Sequence, residues 1–158
     1  NLITVAVDVS GSMVMKPGDI EAAFGIIEDM LSRFRVFLLC IDETVFIPEK
    51  QGDSFTRSAV HTKSYEYKKG DWRYIKTGSS GTTYFEPLFN TYMPGHRELL
   101  VVITDGYIYD LDKLERYHNT LWLISESRDE PFTPPFGRTV KIESKKPAGF
   151  HLQQAHLK

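Results

Sequence analysis

The sequence has 158 residues, of which 41% are hydrophobic and 25% charged, and its formal net charge is −2. This length predicts one globular domain with a sizeable core. The near-neutral charge argues against a nucleic-acid or anionic-membrane partner, and no apolar run approaches the roughly 20 residues of a membrane span.

The start of the chain and its cysteine content bear on its context. The chain begins with Asn1 and enters an apolar run at once, so we expect a processed chain or, preferably, a domain of a longer polypeptide. The single cysteine, Cys40, lies in an apolar run and cannot form an internal disulfide. No Asn-x-Ser/Thr sequon occurs. Both features favour a reducing, cytoplasmic location.

The first half of the chain predicts three strands and one helix. The apolar run at 2–7 is typical of a strand covered on both faces, and apolar residues at helical spacing follow over 19–32. A second buried strand is predicted at 36–41. A tight turn separates it from a third strand at 44–47, which favours antiparallel pairing at the sheet edge. The polar stretch 49–80 predicts a long loop or a hairpin.

The second half continues this alternation. A helix is predicted over 85–93, with a proline in its first turn, and the apolar run at 99–104 predicts a strand. A short helix at 111–117 and strands at 120–124 and 139–142 follow. The alternation predicts an α/β fold, in which a doubly wound, mostly parallel central sheet has one antiparallel edge strand and helices on both faces.

Three loops carry oxygen ligands at strand ends or before a helix. Asp8, Ser10 and Ser12 alternate where the first strand ends, residues 78–83 precede the second predicted helix, and Thr104-Asp105-Gly106 ends the strand at 99–104. In a doubly wound sheet the carboxyl ends of the strands share one edge, so these loops are expected to converge. Carboxylates and hydroxyls without clustered His or thiolate favour Mg²⁺ or Mn²⁺, and less strongly Ca²⁺, over Zn²⁺.

The charge of this ligand set has a consequence for binding. Two carboxylates leave little surplus negative charge around a divalent ion, and the hydroxyls are neutral. Because Mg²⁺ readily keeps water in its shell, an acidic group from a partner protein can replace one water and complete the shell. The ligand set therefore predicts a metal-bridged adhesion site.

These loops resemble the metal-ion-dependent adhesion site of von Willebrand factor A-like domains, and the resemblance covers about residues 1–143. The family pattern is Asp-x-Ser-x-Ser, a distant Thr, and an Asp in a Thr-Asp-Gly turn. The resemblance implies a divalent-metal-dependent protein-binding module, whose ion accepts a Glu or Asp from a partner, and it leaves 144–158 as an irregular tail. Its metal ligands carry over to Asp8, Ser10, Ser12, Thr83 and Asp105.

Two further motifs are similar to bacterial A-like domains that follow a metallopeptidase-like region. They are Gly81-Thr82-Thr83-Tyr84-Phe85-Glu86-Pro87 and Pro134-Pro135-Phe136-Gly137. This chain departs from the subgroup at Thr82, where Gly is usual, and at Tyr84, where Asp is usual. The Phe-x-Pro that follows favours Thr83 over Thr82 as the ligand. Tyr84 removes a nearby carboxylate, and we expect it to alter the choice of partner.

Two other functions stay open. In one, Asp8 is the nucleophile of a Mg²⁺-dependent phosphoryl-transfer enzyme, although Ser10 stands where such enzymes need a second acid and no lysine stands in an equivalent loop after a strand. In the other, the domain is scaffolding in a larger metallopeptidase-like protein. The chain itself has no His-Glu-x-x-His motif.

Weaker features have structural interpretations that we favour. The mixture of aromatics and cations at 65–74 fits a nucleic-acid surface or a solvated hairpin, and the neutral charge favours the hairpin. Met13 and Met15 fit an apolar docking rim, but packing beneath the loop is favoured. Asp110 and Asp112 are predicted to cap the helix that follows the Thr-Asp-Gly turn rather than to bind metal.

Overall fold

The computed structural model describes residues 1–14, 18–51, 54–59, 64–75, 82–125 and 132–142. The predicted tail at 144–158, Met15 and the first residues of the second ligand loop, 78–81, lie outside the described residues. So does the side chain of Ser12, although its backbone is described.

Seven strands of the described residues form one sheet, in the order β4-β3-β2-β1-β5-β6-β7. The strands β1, β2, β5, β6 and β7 run parallel, whereas β3 pairs antiparallel with β2 and β4 pairs antiparallel with β3. The predicted fold class is confirmed. The third strand was expected at the edge of the sheet. Instead, the stretch 49–80, predicted as a long loop or a hairpin, contributes a further strand, β4, which pairs with β3 and lies at the edge. The bounds are β1 Leu2–Asp8, β2 Arg35–Ile41, β3 Val45–Gln51, β4 Ser54–Ala59, β5 Leu99–Thr104, β6 Thr120–Ser125 and β7 Arg138–Ile142.

The helices are short. They are α1 Gly11–Val14, α2 Asp19–Met30, a π-helix Pro87–Tyr92, and 3₁₀ turns at Asp71–Arg73 and Leu111–Lys113. Within the described ranges, none of these helices has the length and apolar character needed to cross a membrane.

The helix predicted over 111–117 is wrong beyond its first turn. Asn90 of the π-helix donates to the carbonyl of Lys113 and accepts the N–H of Glu115. These are backbone groups that a continuing helix would pair within itself. Leu114 accordingly has extended backbone angles, and the chain runs on to β6 without a second helical turn.

Alternate residues of the central strands enter two cores, one on each face of the sheet. Val5 and Leu38 face α2, where Phe24 is fully buried among them. Ala6 lies in the opposite core with Phe89 of the π-helix. This alternation follows from the pleat, which points successive side chains to opposite faces. Both faces are thus covered, as the continuous apolar runs predict.

Residues 64–75 lie against β2 and do not form the hairpin predicted on their own. Leu38 donates its N–H to the carbonyl of Tyr65, and Tyr67 donates its N–H to the carbonyl of Val36. Tyr67 is buried, and its hydroxyl donates to Glu28 of α2. This tyrosine is therefore a core residue and offers no stacking surface for a nucleic acid.

Candidate metal-binding site

The sheet order reverses between β1 and β5. From β1 the chain builds outward to β4, and it then returns to β5 and builds to β7 on the other side. In open parallel sheets, ligands bind outside the carboxyl ends of the strands at such a reversal. Asp8 is the last residue of β1 and Asp105 directly follows β5, and both are fully buried. The fold therefore places both predicted carboxylates where this kind of sheet binds ligands.

Asp8 is held by donors from its own loop and from β5. The N–H of Ser10 donates to Oδ1 at 2.9 Å, and the Thr104 hydroxyl donates to Oδ2 at 2.6 Å. Burial is the main reason that the pKa of Asp8 rises to about 6, and the charge of Asp105 raises it further. Hydrogen bonds from Ser10 and Thr104 lower this pKa, but they do not offset the burial. The ionised carboxylate is thus poorly compensated by the protein, and a nearby cation would stabilise it.

Thr83 reaches the same carboxylate from the loop before the π-helix. Its Oγ1 lies 3.4 Å from Asp8 Oδ1 and 3.5 Å from Asp8 Oδ2, which is longer than the usual hydroxyl hydrogen bond of about 2.5–3.0 Å. Its backbone carbonyl accepts the N–H of Tyr109, and the next residue, Tyr84, donates its N–H to the carbonyl of Asp42. These bonds fix Thr83 between the loops that follow β5 and β2.

Asp105 supplies the strongest indication that this sheet edge binds a ligand. Its Oδ1 accepts the N–H of Tyr107 at 3.1 Å. Its Oδ2 is the one buried side-chain oxygen or nitrogen of the described residues that has no hydrogen-bond partner. Leaving a buried polar group unsatisfied costs about 1–3 kcal/mol, and more when the group is charged. Native structures usually explain such an atom by an ion, a water or a functional role.

The described donor set fits a hard divalent cation. Asp8, Ser10, Thr83 and Asp105 are all buried at this edge, and they offer only oxygen. The described part of the chain contains no group of three or more His, Cys, Asp or Glu residues that could hold a metal ion. A shell here would therefore combine two carboxylates with hydroxyls, which suits Mg²⁺ or Mn²⁺ better than Zn²⁺.

Two supporting residues were not identified from the sequence. Thr104 lies in the Thr-Asp-Gly turn, but its role is to donate to Asp8 while accepting the N–H of Gly106. Asp42, interpreted as part of a turn, is buried, and its carboxylate accepts the N–H of Thr44. Both follow or end apolar strands at the same edge of the sheet. That shared position is the signal by which they could have been found.

The predicted role of Asp110 as a cap for the helix after its own turn is wrong. Its carboxylate accepts the N–H groups of Phe85 at 2.9 Å and Glu86 at 2.8 Å, directly before the π-helix. Those groups precede Asp110 by 25 and 24 residues, so no local pattern points to them. Met13 is buried, so the prediction that it packs beneath the first loop is confirmed.

Two cavities open beside this site, one on each side of Tyr109. One cavity, whose described lining residues carry no charge and which is here called the uncharged cavity, has a volume of about 530 Å³, and its lining includes Thr83, Gly106, Tyr107, Ile108, Tyr109 and Phe132. The acidic cavity has a volume of about 730 Å³, and its lining includes Glu43, Tyr84, Glu86, Tyr109, Asp110 and Lys113.

Comparison with known proteins identifies the fold. No protein-family model and no curated protein matches the chain. Among solved structures, a von Willebrand factor type A protein from Catenulispora acidiphila is 13% identical, with a TM-score of 0.53, and the match covers 99% of this chain and 42% of that one. Proximal thread matrix protein 1 from the mussel byssus is 11% identical, with a TM-score of 0.50, and the match covers 99% of this chain and 45% of that one.

The chain therefore has a von Willebrand factor A-like fold, of the Rossmann-like doubly wound class. It spans less than half the length of each of these two structures. At this level of identity the likeness concerns the fold alone, so the function is argued from the site.

Proposed function

We propose that this protein is a divalent-metal-dependent protein-binding module, in which bound Mg²⁺ or Mn²⁺ accepts a Glu or Asp side chain from a partner protein. The observation that carries the proposal is that the buried Oδ2 of Asp105 accepts no hydrogen bond. This oxygen belongs to the same sheet edge as Asp8, whose ionised carboxylate is poorly compensated by the protein. Asp8, Ser10, Thr83 and Asp105 would hold the ion, together with Ser12.

The surroundings of Asp8 support binding over phosphoryl transfer. Both of its oxygens already accept hydrogen bonds, and the side chain is fully buried. A carboxylate that attacks phosphorus needs an accessible oxygen and a neighbouring acid to protonate the leaving group. Ser10 occupies the position where that acid is expected. When bound, the ion supplies a positive charge that an external carboxylate can neutralise.

The wider context belongs to the same proposal. The sequence resemblance to bacterial A-like domains favours a cytoplasmic domain of a longer, metallopeptidase-like protein. In that setting, the ligand offering the acid is a separate protein or another part of the same polypeptide. The fold likeness is compatible with this arrangement, because the matched structures are themselves more than twice as long as this chain.

Calorimetric titration with Mg²⁺ and Mn²⁺ tests the proposal. We expect Asp8→Ala and Asp105→Ala to abolish metal binding, while circular dichroism shows that the fold is retained. Asp112→Ala is the matched control, because Asp112 lies in the 3₁₀ turn that directly follows this loop and is exposed. Unchanged metal affinity in both site variants would contradict the proposal. Mg²⁺-dependent phosphatase turnover that is lost in Asp8→Asn would replace it with the phosphoryl-transfer alternative.

A further inference from the structure

We propose that the partner segment carries a large apolar side chain close to its metal-binding acid, and that this side chain fills the uncharged cavity. A second acid on the other side of the segment would be disfavoured by the acidic cavity. The inference rests on the proposed function and specifies the chemistry of the partner.

The uncharged cavity adjoins the metal site at Thr83. Thr83 and Gly106 belong to two of the three ligand loops, and both line this cavity. Any segment that places a carboxylate at the site therefore extends over the cavity with its neighbouring residues. A volume of about 530 Å³ is within the range of about 300–1,000 Å³ typical of ligand pockets.

The lining of this cavity selects an uncharged group. None of its described lining residues is Asp, Glu, Lys, Arg or His. Ile108 and Phe132 are half-buried and offer apolar surface at its walls, and Thr82 and Thr133 add hydroxyl groups. A charged side chain placed here would lose part of its water without gaining an opposite charge from the described lining, whereas a large apolar side chain would gain contacts with Ile108 and Phe132.

Two tyrosines of the same loop extend this surface into solvent. Tyr107 is 45% exposed and Tyr109 is 75% exposed. Tyrosine is enriched at protein interfaces because it buries a large apolar area and keeps a polar hydroxyl. Tyr109 packs edge-on against Tyr84, with ring centroids 5.4 Å apart, so the wall between the two cavities is braced.

The acidic cavity has the opposite preference. The described residues that line it include three acids, Glu43, Glu86 and Asp110, against one cation, Lys113. A partner with a second acid on this side would meet a net negative field. The two cavities therefore distinguish the two sides of a bound segment, and a segment rich in acids is disfavoured.

A peptide library with a fixed central Glu and three random residues on each side tests the inference. Selection is carried out in Mg²⁺ and, in parallel, in EDTA. We expect Mg²⁺-dependent enrichment of Phe, Tyr, Trp, Leu or Met within two positions of the Glu on one side, and depletion of Asp and Glu on the other side. Replacing the enriched apolar residue by Ala is expected to weaken binding at least about tenfold, a typical effect for an interface anchor.

Two protein variants assign the preference to the cavity. Thr133 is exposed and lines the uncharged cavity, whereas Thr91 is exposed and lines the acidic cavity. Thr133→Glu is expected to weaken the binding of the selected peptide about tenfold, because it puts a charge where the apolar side chain packs. The affinity for Mg²⁺ is expected to stay unchanged. Thr91→Glu, the matched control, is expected to leave that peptide's affinity within about twofold.

The outcomes separate this inference from the proposed function. If the peptides require Glu and Mg²⁺ but show no neighbouring apolar preference, or if Thr133→Glu and Thr91→Glu behave alike, the inference is overturned and the proposed function stands. If no enrichment depends on Mg²⁺, or if Gln replaces the central Glu without loss of binding, both are overturned.

Discussion

Asp105 and Asp110 lie in the same loop after β5, and both are buried, but their surroundings differ. Both oxygens of Asp110 accept backbone N–H groups, from Phe85 and Glu86. Asp105 accepts one N–H on Oδ1 and none on Oδ2. Two backbone N–H groups on one buried carboxylate are explained by a role in the fold, whereas a buried oxygen without a donor calls for another explanation, such as a ligand from outside. Burial alone does not distinguish these two cases.

Replacing Asp110 is expected to have the largest effect on the fold. Asp110→Ala removes two hydrogen bonds to a charged group at a buried position, and such bonds contribute about 1.5–3 kcal/mol each, so we expect a loss of about 3–6 kcal/mol of unfolding free energy. Urea denaturation measures this loss. The exposed neighbour provides the control, since Asp112→Ala should change stability by no more than about 0.5 kcal/mol. Similar values for the two variants would contradict a structural role for Asp110.

Replacing Asp105 is expected to affect metal binding and to preserve the fold. Asp105→Asn keeps an oxygen for the N–H of Tyr107 and removes the negative charge. We expect Mg²⁺ affinity to fall at least about 100-fold, which is about 2.7 kcal/mol, with the unfolding free energy of the metal-free protein retained. Calorimetry and urea denaturation measure the two quantities on the same sample. A large loss of stability without metal would show that Asp105 resembles Asp110 after all.

Metal itself is expected to stabilise the protein through this site. Free Mg²⁺ at about 100 times its dissociation constant should raise the unfolding free energy by about 2.7 kcal/mol, and a chelator should reverse the gain. Thermal unfolding with and without EDTA measures it. The Asp105→Asn protein should show no such gain, and an equal gain in that variant would place the stabilising ion elsewhere.

The smallest expected effect is the pH dependence of the metal-free protein. Burial raises the pKa of Asp8 from 3.8 to about 6, so between these values the folded state holds a proton that the unfolded state has lost. Stability from this group therefore increases as the pH falls, by about 1 kcal/mol between about pH 7 and about pH 5. Urea denaturation at both pH values measures it, with Asp8→Asn as the control. If the contribution of Asp8 to the unfolding free energy decreased on acidification, the buried environment assigned to its carboxyl group would be contradicted.

Much of the fold was predictable because the central strands are buried on both faces. Continuous apolar runs marked β1, β2, β5 and β6 to within one or two residues of their observed bounds. The prediction was poorer at 111–117, where Asn90 binds backbone groups that a helix would need. It also missed the position of 64–75 against β2, because that packing depends on contacts distant in sequence.

The sequence identified Asp8 and Asp105 as candidates at one sheet edge, but it did not identify the contacts that hold them there. Asp8 and Asp105 follow apolar strands, so the strand pattern and the rule for sheet edges point to them. The hydrogen bond from Thr104 to Asp8 joins residues 96 positions apart in the sequence, and the contact of Thr83 with Asp8 joins residues 75 positions apart. Contacts of this range depend on which strands are neighbours, and one sequence does not specify that order.

A crystal of the protein soaked with Mn²⁺ and measured for anomalous scattering tests the central claim most directly. The account predicts one strong peak at the carboxyl ends of β1 and β5, within bonding distance of Asp8, Thr83 and Asp105, and its absence in Asp105→Asn crystals. Lack of a peak at this edge in the unaltered protein, or a peak that persists there in the variant, would contradict it.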